Sequence, residues 1–249
     1  SLKILKSKNI IVKKGLIKKE INIFYSTYFF NRINKLPFVT GKIAISKNNL
    51  IYTRDAKKIT DIHSDKLTHY LRYKNDAIMI SSKTLNIDNP KLNCRLKGLG
   101  EFSPRRIILD NNLKTKTNSY IFKSANKTNT IFFYNSAKKQ KINLFKKKKV
   151  LLIKSNLTKK KHFDLKVILK KLYNIGSRNI LVEGGDILSG SFLKNKLFNQ
   201  FYLFKSNKIF NKSTSYKDFN HIKFLIQNYR IKSKIKTVSG KDRITLYKR

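Results

Sequence analysis

Apolar residues in this chain fall in short runs separated by stretches of helical spacing, and from Phe38 onward the alternation is regular. FVTGKIAI (Phe38 to Ile45), AIMIS (Ala77 to Ser81), RRIILD (Arg105 to Asp110), TIFFY (Thr130 to Tyr134) and VLLI (Val150 to Ile153) read as strands. Helical patterns lie around Leu67 to Tyr73 and Leu165 to Tyr173. The run Asn179 to Val182 reads as a buried strand that ends in Glu183, turns on two glycines and opens a helix to about Lys194. FYLFKS (Phe201 to Ser206), KFLIQNYRI (Lys223 to Ile231) and RITLY (Arg243 to Tyr247) follow with no long helix between them and read as consecutive strands. Alternation first and consecutive strands last predict an α/β fold whose central sheet is mostly parallel, with antiparallel C-terminal strands.

Residues 1 to 36 have a different texture: a helix end, a short strand at Ile10 to Val12, and one amphipathic helix from about Lys18 to Arg32, closed by Pro37. The segment is too short to be a domain by itself. It is expected to be the tail of a missing N-terminal domain plus a linker, with residues 37–249 forming the main domain.

Composition narrows the class. The chain has 249 residues, 40% of them hydrophobic and only three of them Pro, which excludes a disordered chain. No apolar run approaches the roughly 20 residues of a membrane-spanning helix, and membrane partners are not expected. Cys94 is the single cysteine; it rules out an internal disulfide and a multi-cysteine zinc site and fits a reducing cytoplasm. None of His63, His69, His162 and His221 sits in a metal-binding spacing, so no metal is expected.

A net charge of +44 is the usual footprint of nucleic-acid binding. Yet 47 of the 57 basic residues are Lys and only 10 are Arg, the residue that forks onto phosphates and guanines. The lysines are spread along the whole chain beside abundant Asn, Ile, Phe and Tyr, all residues with A/T-rich codons. Genomic base bias with solvated Lys faces accounts for this better than a dedicated groove, and no specific nucleic-acid partner is expected. The runs Lys146 to Lys149 and Lys159 to Lys161 read as loop and strand-edge charges.

Two stretches carry candidate chemistry. LVEGGDILSGS (Leu181 to Ser191) places backbone N–H groups at a helix N-terminus, where the dipole and unpaired donors favour a phosphate. Glu183 at the mouth of that turn suits a polar ligand beside the phosphate better than the phosphate itself. The turn is not G-x-G-x-x-G, so it is a poor Rossmann fingerprint. TLNIDNPKLNCR (Thr84 to Arg95) follows a buried strand and so lies at its carboxyl end, where α/β sheets place ligands. Thr84 and Asp88 can hydrogen-bond a ribose or amide, and Arg95 is a fork for a phosphate. Together the two stretches point to a nucleotide-dependent enzyme.

PFVTGKIAIS, HYLRYKNDAIMISSKTLNIDNPKLNCR, PRRIILDNNLK and NILVEGGDILSGSFLKNKL appear in one order and spacing. From about Leu36 onward this resembles the reductase domain of the RibD-type bifunctional deaminase–reductase of riboflavin biosynthesis, whose fold is like dihydrofolate reductase. The first 35 residues are similar to the end of that family's deaminase domain, notably FFNRI before the Pro, while the deaminase zinc signature, H-x-E with P-C-x-x-C, is absent. Deaminase activity is therefore not expected on this chain.

The resemblance implies NADPH-dependent reduction of 5-amino-6-(5-phosphoribosylamino)uracil to its ribityl counterpart. It implies cofactor contacts at Ala44, Thr84, Asp88 and Asn111, and at the turn and helix start formed by Gly185, Asp186, Ile187, Leu188, Ser189, Gly190 and Ser191. Substrate contacts are implied at Ala56, Leu92, Arg95 and Glu183. Lys42 matches a lysine of the substrate cleft, and Lys42 with Glu183 are the available proton-transfer partners. Family members are often oligomers through this domain, so a homo-oligomer is among the expected partners.

The chain departs from the family at several points. Ser46-Lys47-Asn48-Asn49 stands for S-L-D-G, Ala56 and Lys58 stand for a Ser and a Trp against the cofactor, and Asn111 stands for a Ser. Lys58 could instead meet a cofactor phosphate, and Lys58, Lys83 and Arg106 are all conceivable partners for a 2′-phosphate. The alternatives are a reductase of the same fold with another pterin or pyrimidine substrate, and a basic nucleic-acid-binding protein without catalysis.

Overall fold

The computed structural model describes residues 2–53, 58–212, 216–235 and 240–249. In chain order its elements are α1 (Leu2–Ser7), α2 (Lys18–Phe24), α3 (Ser26–Asn34), β1 (Phe38–Ile45), β2 (Leu50–Thr53), α4 (Ile62–Tyr73), β3 (Ala77–Ser81) and α5 (Ser82–Asp88). There follow β4 (Arg105–Leu109), α6 (Tyr120–Lys123), β5 (Thr130–Tyr134), α7 (Lys139–Lys147), β6 (Leu151–Lys154), α8 (Leu165–Asn174), β7 (Asn179–Val182) and α9 (Asp186–Lys194). The chain closes with β8 (Gln200–Lys205), β9 (Tyr216–Asp218), α10 (Ile222–Asn228), β10 (Ile231–Ile235) and β11 (Arg243–Lys248).

Nine strands form one sheet in the order β10-β11-β8-β1-β7-β3-β4-β5-β6. From β8 to β6 all neighbours run parallel, while β11 is antiparallel to β8 and β10 to β11. Strand alternation builds two cores. Val39, Met79, Ile107, Ile131 and Val182 face one side, against α8, α9 and α10. Ile78, Ile80, Ile108, Phe132 and Leu181 face the other, against α4, α5, α6 and α7. Three layers result, because parallel strands need both faces covered. The expected α/β class, with its mostly parallel sheet and antiparallel end, is what the chain adopts.

Local sequence explains the helix starts. Asp61 accepts from the Ser64 amide at 2.8 Å ahead of α4, and Asp164 accepts from Lys166 and Val167 ahead of α8. Leu165, Ile168, Leu169 and Leu172 form a buried stripe on α8 at helical spacing. Lys146 and Lys147 prove to be the last turn of α7, where cations suit the helix dipole, so that part of the lysine run is helical. Where the resemblance leads one to expect glycine at the β1–β2 turn, Asn49 sits at φ 67°, and Asn is the residue that tolerates this conformation best after glycine. The S-L-D-G departure thus keeps its turn, closed by Ser46 N–H to the Leu50 carbonyl at 2.9 Å.

Three sequence expectations fail. Lys223 to Ile231 is not a strand: Ile222, Leu225 and Tyr229 repeat at helical spacing and turn inward, making α10, and β10 starts only at Ile231. Ile10 to Val12 carries no strand, since it has no neighbour to pair with. The single helix over Lys18 to Arg32 is two helices broken at Tyr25. The β2–β9 ribbon was not anticipated, because its strands are only four and three residues long.

The first 34 residues touch the sheet chiefly through α3. Asn31, buried, donates from Nδ2 to the carbonyls of Leu36 and Arg178, and Phe30 meets Phe38 edge to face. No described helix is long and apolar enough to cross a membrane.

Candidate active site

The carboxyl ends of β1, β7, β3 and β4 converge on a cavity of about 850 Å³, within the range of small-molecule and cofactor sites. The β2–β9 ribbon supplies the opposite wall through Ile51, Tyr52, Lys217 and Asp218. Parallel register decides which side chains meet. Gly41 pairs with Val182, so the next positions, Lys42 and Glu183, stand side by side on the same face. Gly41 itself is obligatory, because a Cβ there would stand 2.3 Å from the Phe201 ring.

Glu183 is gripped by a residue that sequence reasoning missed. Arg72, buried on α4, donates from Nε to Oε1 at 2.8 Å and from Nη2 to Oε2 at 2.9 Å, a bidentate pair. Its Nη1 reaches the Asn93 carbonyl at 3.2 Å. The available signal was spacing: Ser64, Thr68, Leu71 and Arg72 form the buried stripe of α4, so an Arg falls on an inward face and requires a partner. Burial alone would raise the Glu183 carboxyl; the Arg72 guanidinium and the Lys42 ammonium outweigh it and hold Glu183 below the ordinary carboxylate value. Lys42 Nζ lies 4.8 Å from the centre of the Phe204 ring. Burial, assisted by the Arg72 charge and only partly opposed by Glu183, pulls Lys42 below the ordinary lysine value.

The glycine turn forms the floor. Gly184 packs so tightly that a Cβ would stand 2.9 Å from Leu188, whereas a Cβ on Gly185 would meet nothing within 4 Å. Gly185 has φ −71° and ψ −175°, a conformation open to any residue, so glycine here leaves space rather than relieving strain. That space opens into the cavity at the N-terminus of α9, which suits an anionic group. Gly185, Asp186, Ile187, Leu188 and Ser191 line the cavity. Ser189 and Gly190 lie buried beneath it, Ser189 donating to the Gly184 carbonyl at 3.1 Å. Asp186 ties down the outer wall by accepting from the Asn220 amide at 2.9 Å and pairing with His221 Nδ1 at 2.8 Å. A Cβ on Gly190 would fall 2.2 Å from the His221 ring.

Thr84 and Asp88, one turn apart on α5, line the cavity with Ala44 and Asn111. Ser81 Oγ accepts from the Thr84 amide and fixes the start of α5. Asp110, the acid ending β4, is fully engaged by the amides of Lys114 and Thr115 and the Thr115 hydroxyl, and so shapes its loop. Leu92 and Arg95 do not line the cavity. Leu92 is buried at φ 57°, a strained conformation for a bulky residue, from which the chain leads on to the Asn93 carbonyl facing Arg72. Arg95 is exposed, with Nη1 on the Asn93 side chain at 3.0 Å, and its amide lies 3.2 Å from His69 Nδ1. Burial, with the charges of Arg72 and Arg95, lowers the His69 pKa, and the same Nδ1 lies 3.2 Å from the Asn93 carbonyl. Lys58 is ion-paired with Asp65 and does not line the cavity. Arg106 is turned away altogether, its guanidinium held by Thr130 and Ser124. Ala56 lies outside the described residues.

The donor set suits a dinucleotide: a cradle at a helix N-terminus that a side chain on Gly185 would fill, two hydroxyl- or carboxylate-bearing positions on α5, and cations around the rim. A fold of this kind, with a buried Lys–Glu pair at the carboxyl ends of its parallel strands, defines an α/β enzyme with a site for a small polar substrate. The chain belongs to the RibD C-terminal domain family, whose model matches residues 37–218. It is 28% identical over 209 residues to the riboflavin biosynthesis protein RibD of Actinobacillus pleuropneumoniae, covering 82% of this chain and 54% of that protein. The chain thus spans about half of that relative's length. It is 33% identical over 201 residues to the 2,5-diamino-6-ribosylamino-4(3H)-pyrimidinone 5′-phosphate reductase of Kluyveromyces lactis, covering 72% of this chain and 77% of that one. The fold matches that of Acinetobacter baumannii RibD with a TM-score of 0.74 at 19% identity, over 99% of this chain and 67% of that one.

Proposed function

We propose that this chain carries out the NADPH-dependent reduction of 5-amino-6-(5-phosphoribosylamino)uracil to 5-amino-6-(5-phosphoribitylamino)uracil, within the reductase role in riboflavin biosynthesis that its relatives carry in their names. The observation that carries the reading is the juxtaposition of Lys42 and the Arg72-bound Glu183 with the open Gly185 cradle in one cavity. A dinucleotide held by the Gly185 turn and α5 would supply the hydride that C1 of the ring-opened ribosylamine takes up. Lys42 Nζ holds the proton that the ribosylamine nitrogen takes up as its double bond to C1 is reduced, and a lowered lysine pKa makes that ammonium a better acid. Glu183, with both oxygens fixed by Arg72, is the acceptor that orients the substrate's hydroxyl or N–H groups. Arg95 lies outside the cavity lining with its guanidinium on the Asn93 side chain, and its role as the phosphate fork of the substrate is carried by the resemblance alone. Thr84, Asp88, Asn111, residues 185–188 and Ser191 hold the dinucleotide, with Ser189 and Gly190 packed beneath them. Cytoplasmic residence, in keeping with the lone Cys94, and assembly into a homo-oligomer are carried on the same footing.

The test is NADPH consumption by the purified chain with that uracil substrate, alongside the diamino-pyrimidinone substrate named for the Kluyveromyces relative, with NADH in parallel. Turnover of the uracil compound with NADPH supports the reading. Turnover of the pyrimidinone alone reassigns the base, and cofactor binding without turnover of either points to another substrate.

A further inference from the structure

An acid stands where the site needs none. Asp186 is the first residue of α9 and lines the cavity at the end of that helix which suits an anionic ligand. Gly185, the residue before it, has no side chain with which to bond the first-turn amides. An acid in the first turn is drawn to those amides by the helix dipole. A free Asp186 carboxylate would therefore take the donors of the cradle and repel any anion approaching them.

The carboxylate is instead turned to the segment between β9 and α10. Oδ1 accepts from the Asn220 amide at 2.9 Å and from His221 Nδ1 at 2.8 Å, and Oδ2 accepts from Asn220 Nδ2 at 3.2 Å. A carboxylate oxygen only accepts, so the hydrogen of this contact belongs to His221 Nδ1. These donors are themselves held in place. The His221 ring lies so close on Gly190 that a Cβ there would stand 2.2 Å from it. Phe219, buried, stands 6.1 Å from the His221 ring and stacks nearly parallel on Phe201. The Phe219 amide donates to the Asn49 carbonyl at 3.0 Å, and the His221 carbonyl accepts from the Leu225 amide at 2.9 Å as α10 begins. Three donors thus reach Asp186 from a corner that is fixed to the β1–β2 turn, to β8 and to α9 itself.

We infer that His221, together with Asn220, is a positioning residue for nucleotide binding: it holds the Asp186 carboxylate off the first turn of α9 and leaves the amides of that turn to the ligand. The inference rests on the dinucleotide reading above. His221 acts through Asp186, 35 residues earlier in the chain, and does not itself line the cavity. A role confined to packing makes a different prediction, because the ring also fills the space over Gly190. Losing the packing is repaired by refilling that space, whereas a released carboxylate is repaired only by removing its charge.

The test is equilibrium binding of NADPH, read by fluorescence titration at fixed ionic strength and independent of turnover. The proteins are the wild type, His221→Ala, Gly190→Ala/His221→Ala, which refills part of the space left by the ring, and Asp186→Asn/His221→Ala, which removes the released charge. His221→Ala should weaken NADPH by about tenfold, the scale of a charge acting at a helix terminus. The Gly190→Ala/His221→Ala protein should bind as weakly as His221→Ala even where its thermal midpoint recovers. The Asp186→Asn/His221→Ala protein should return to within about threefold of wild type. Affinity unchanged within about twofold in His221→Ala would overturn the inference while leaving the dinucleotide reading intact. Recovery by Gly190→Ala and not by Asp186→Asn would overturn it in favour of packing. Wild-type protein that does not bind NADPH would sink the dinucleotide reading, and this inference with it.

Discussion

Replacing Arg72 by Met isolates the contact on which the site geometry depends. The substitution keeps an unbranched apolar stem but removes two charge-assisted hydrogen bonds, of 2.8 and 2.9 Å, from Glu183. Removing one partner of a buried pair costs about 3–5 kcal/mol, because the surviving charge is left without compensation. The two side chains are 11% and 13% exposed, and Lys42 still faces the carboxylate, so the lower end applies: about 3 kcal/mol. For a domain of this size the urea dependence is about 2–3 kcal/mol per molar, which puts the loss at roughly 1 M in the unfolding midpoint. The Arg72→Met/Glu183→Gln double variant removes both charges and should recover at least about 1 kcal/mol of that loss. The sign with pH is also fixed. Glu183 has its folded pKa below the ordinary 4.5, so the unfolded chain binds the extra proton; the pair's contribution is complete above that value and is lost as pH falls through the folded one. Urea titrations from about pH 3 to about pH 8, which span the ordinary carboxylate range, read both effects. A cost under about 1 kcal/mol for Arg72→Met, or strict additivity in the double variant, would refute the coupling.

Other consequences are as direct. Gly185→Val should leave the thermal midpoint close to wild type, since no atom lies within 4 Å of the new Cβ, yet abolish NADPH binding by filling the cradle; retained affinity would place the cofactor elsewhere. Gly190→Ala should cost about 1–3 kcal/mol, because the His221 ring it meets at 2.2 Å is held by Asp186, and pairing it with His221→Ala should restore most of the loss in thermal melts. Lys42 loses its proton below the ordinary 10.5, so kcat should fall along an alkaline limb centred below that value; Lys42→Met should remove turnover while NADPH still binds by titration, and a limb at or above 10.5 would deny Lys42 the proton-donor role.

What could be read from the sequence follows from where the physics is local. The long parallel strands announce themselves as apolar runs because both faces are covered, and FVTGKIAI, TIFFY and NILV have the bounds expected of them. The glycine turn was legible for the same reason: strand, acid, two glycines and helix are contiguous. Arg72 was not, because its meaning depends on a partner 111 residues away in sequence. The β2–β9 ribbon was hidden by its brevity, and α10 by an apolar run, KFLI, that suits either period until Leu225 and Tyr229 are seen to share a face. The 2′-phosphate candidates could not be separated by composition. Only packing shows Arg106 spent on Thr130 and Ser124, and Lys58 on Asp65, leaving Lys83 on the cavity wall.

The most direct measurement is the fate of the transferred hydrogen. The purified chain is incubated with 5-amino-6-(5-phosphoribosylamino)uracil and NADPH carrying deuterium at the transferable nicotinamide position, and the product is examined by NMR. Deuterium at C1 of a ribityl chain, lost when Lys42→Met or Gly185→Val is used, is the predicted result. Cofactor binding with no label in any ribityl product would contradict the assignment of this cavity to ribosyl reduction.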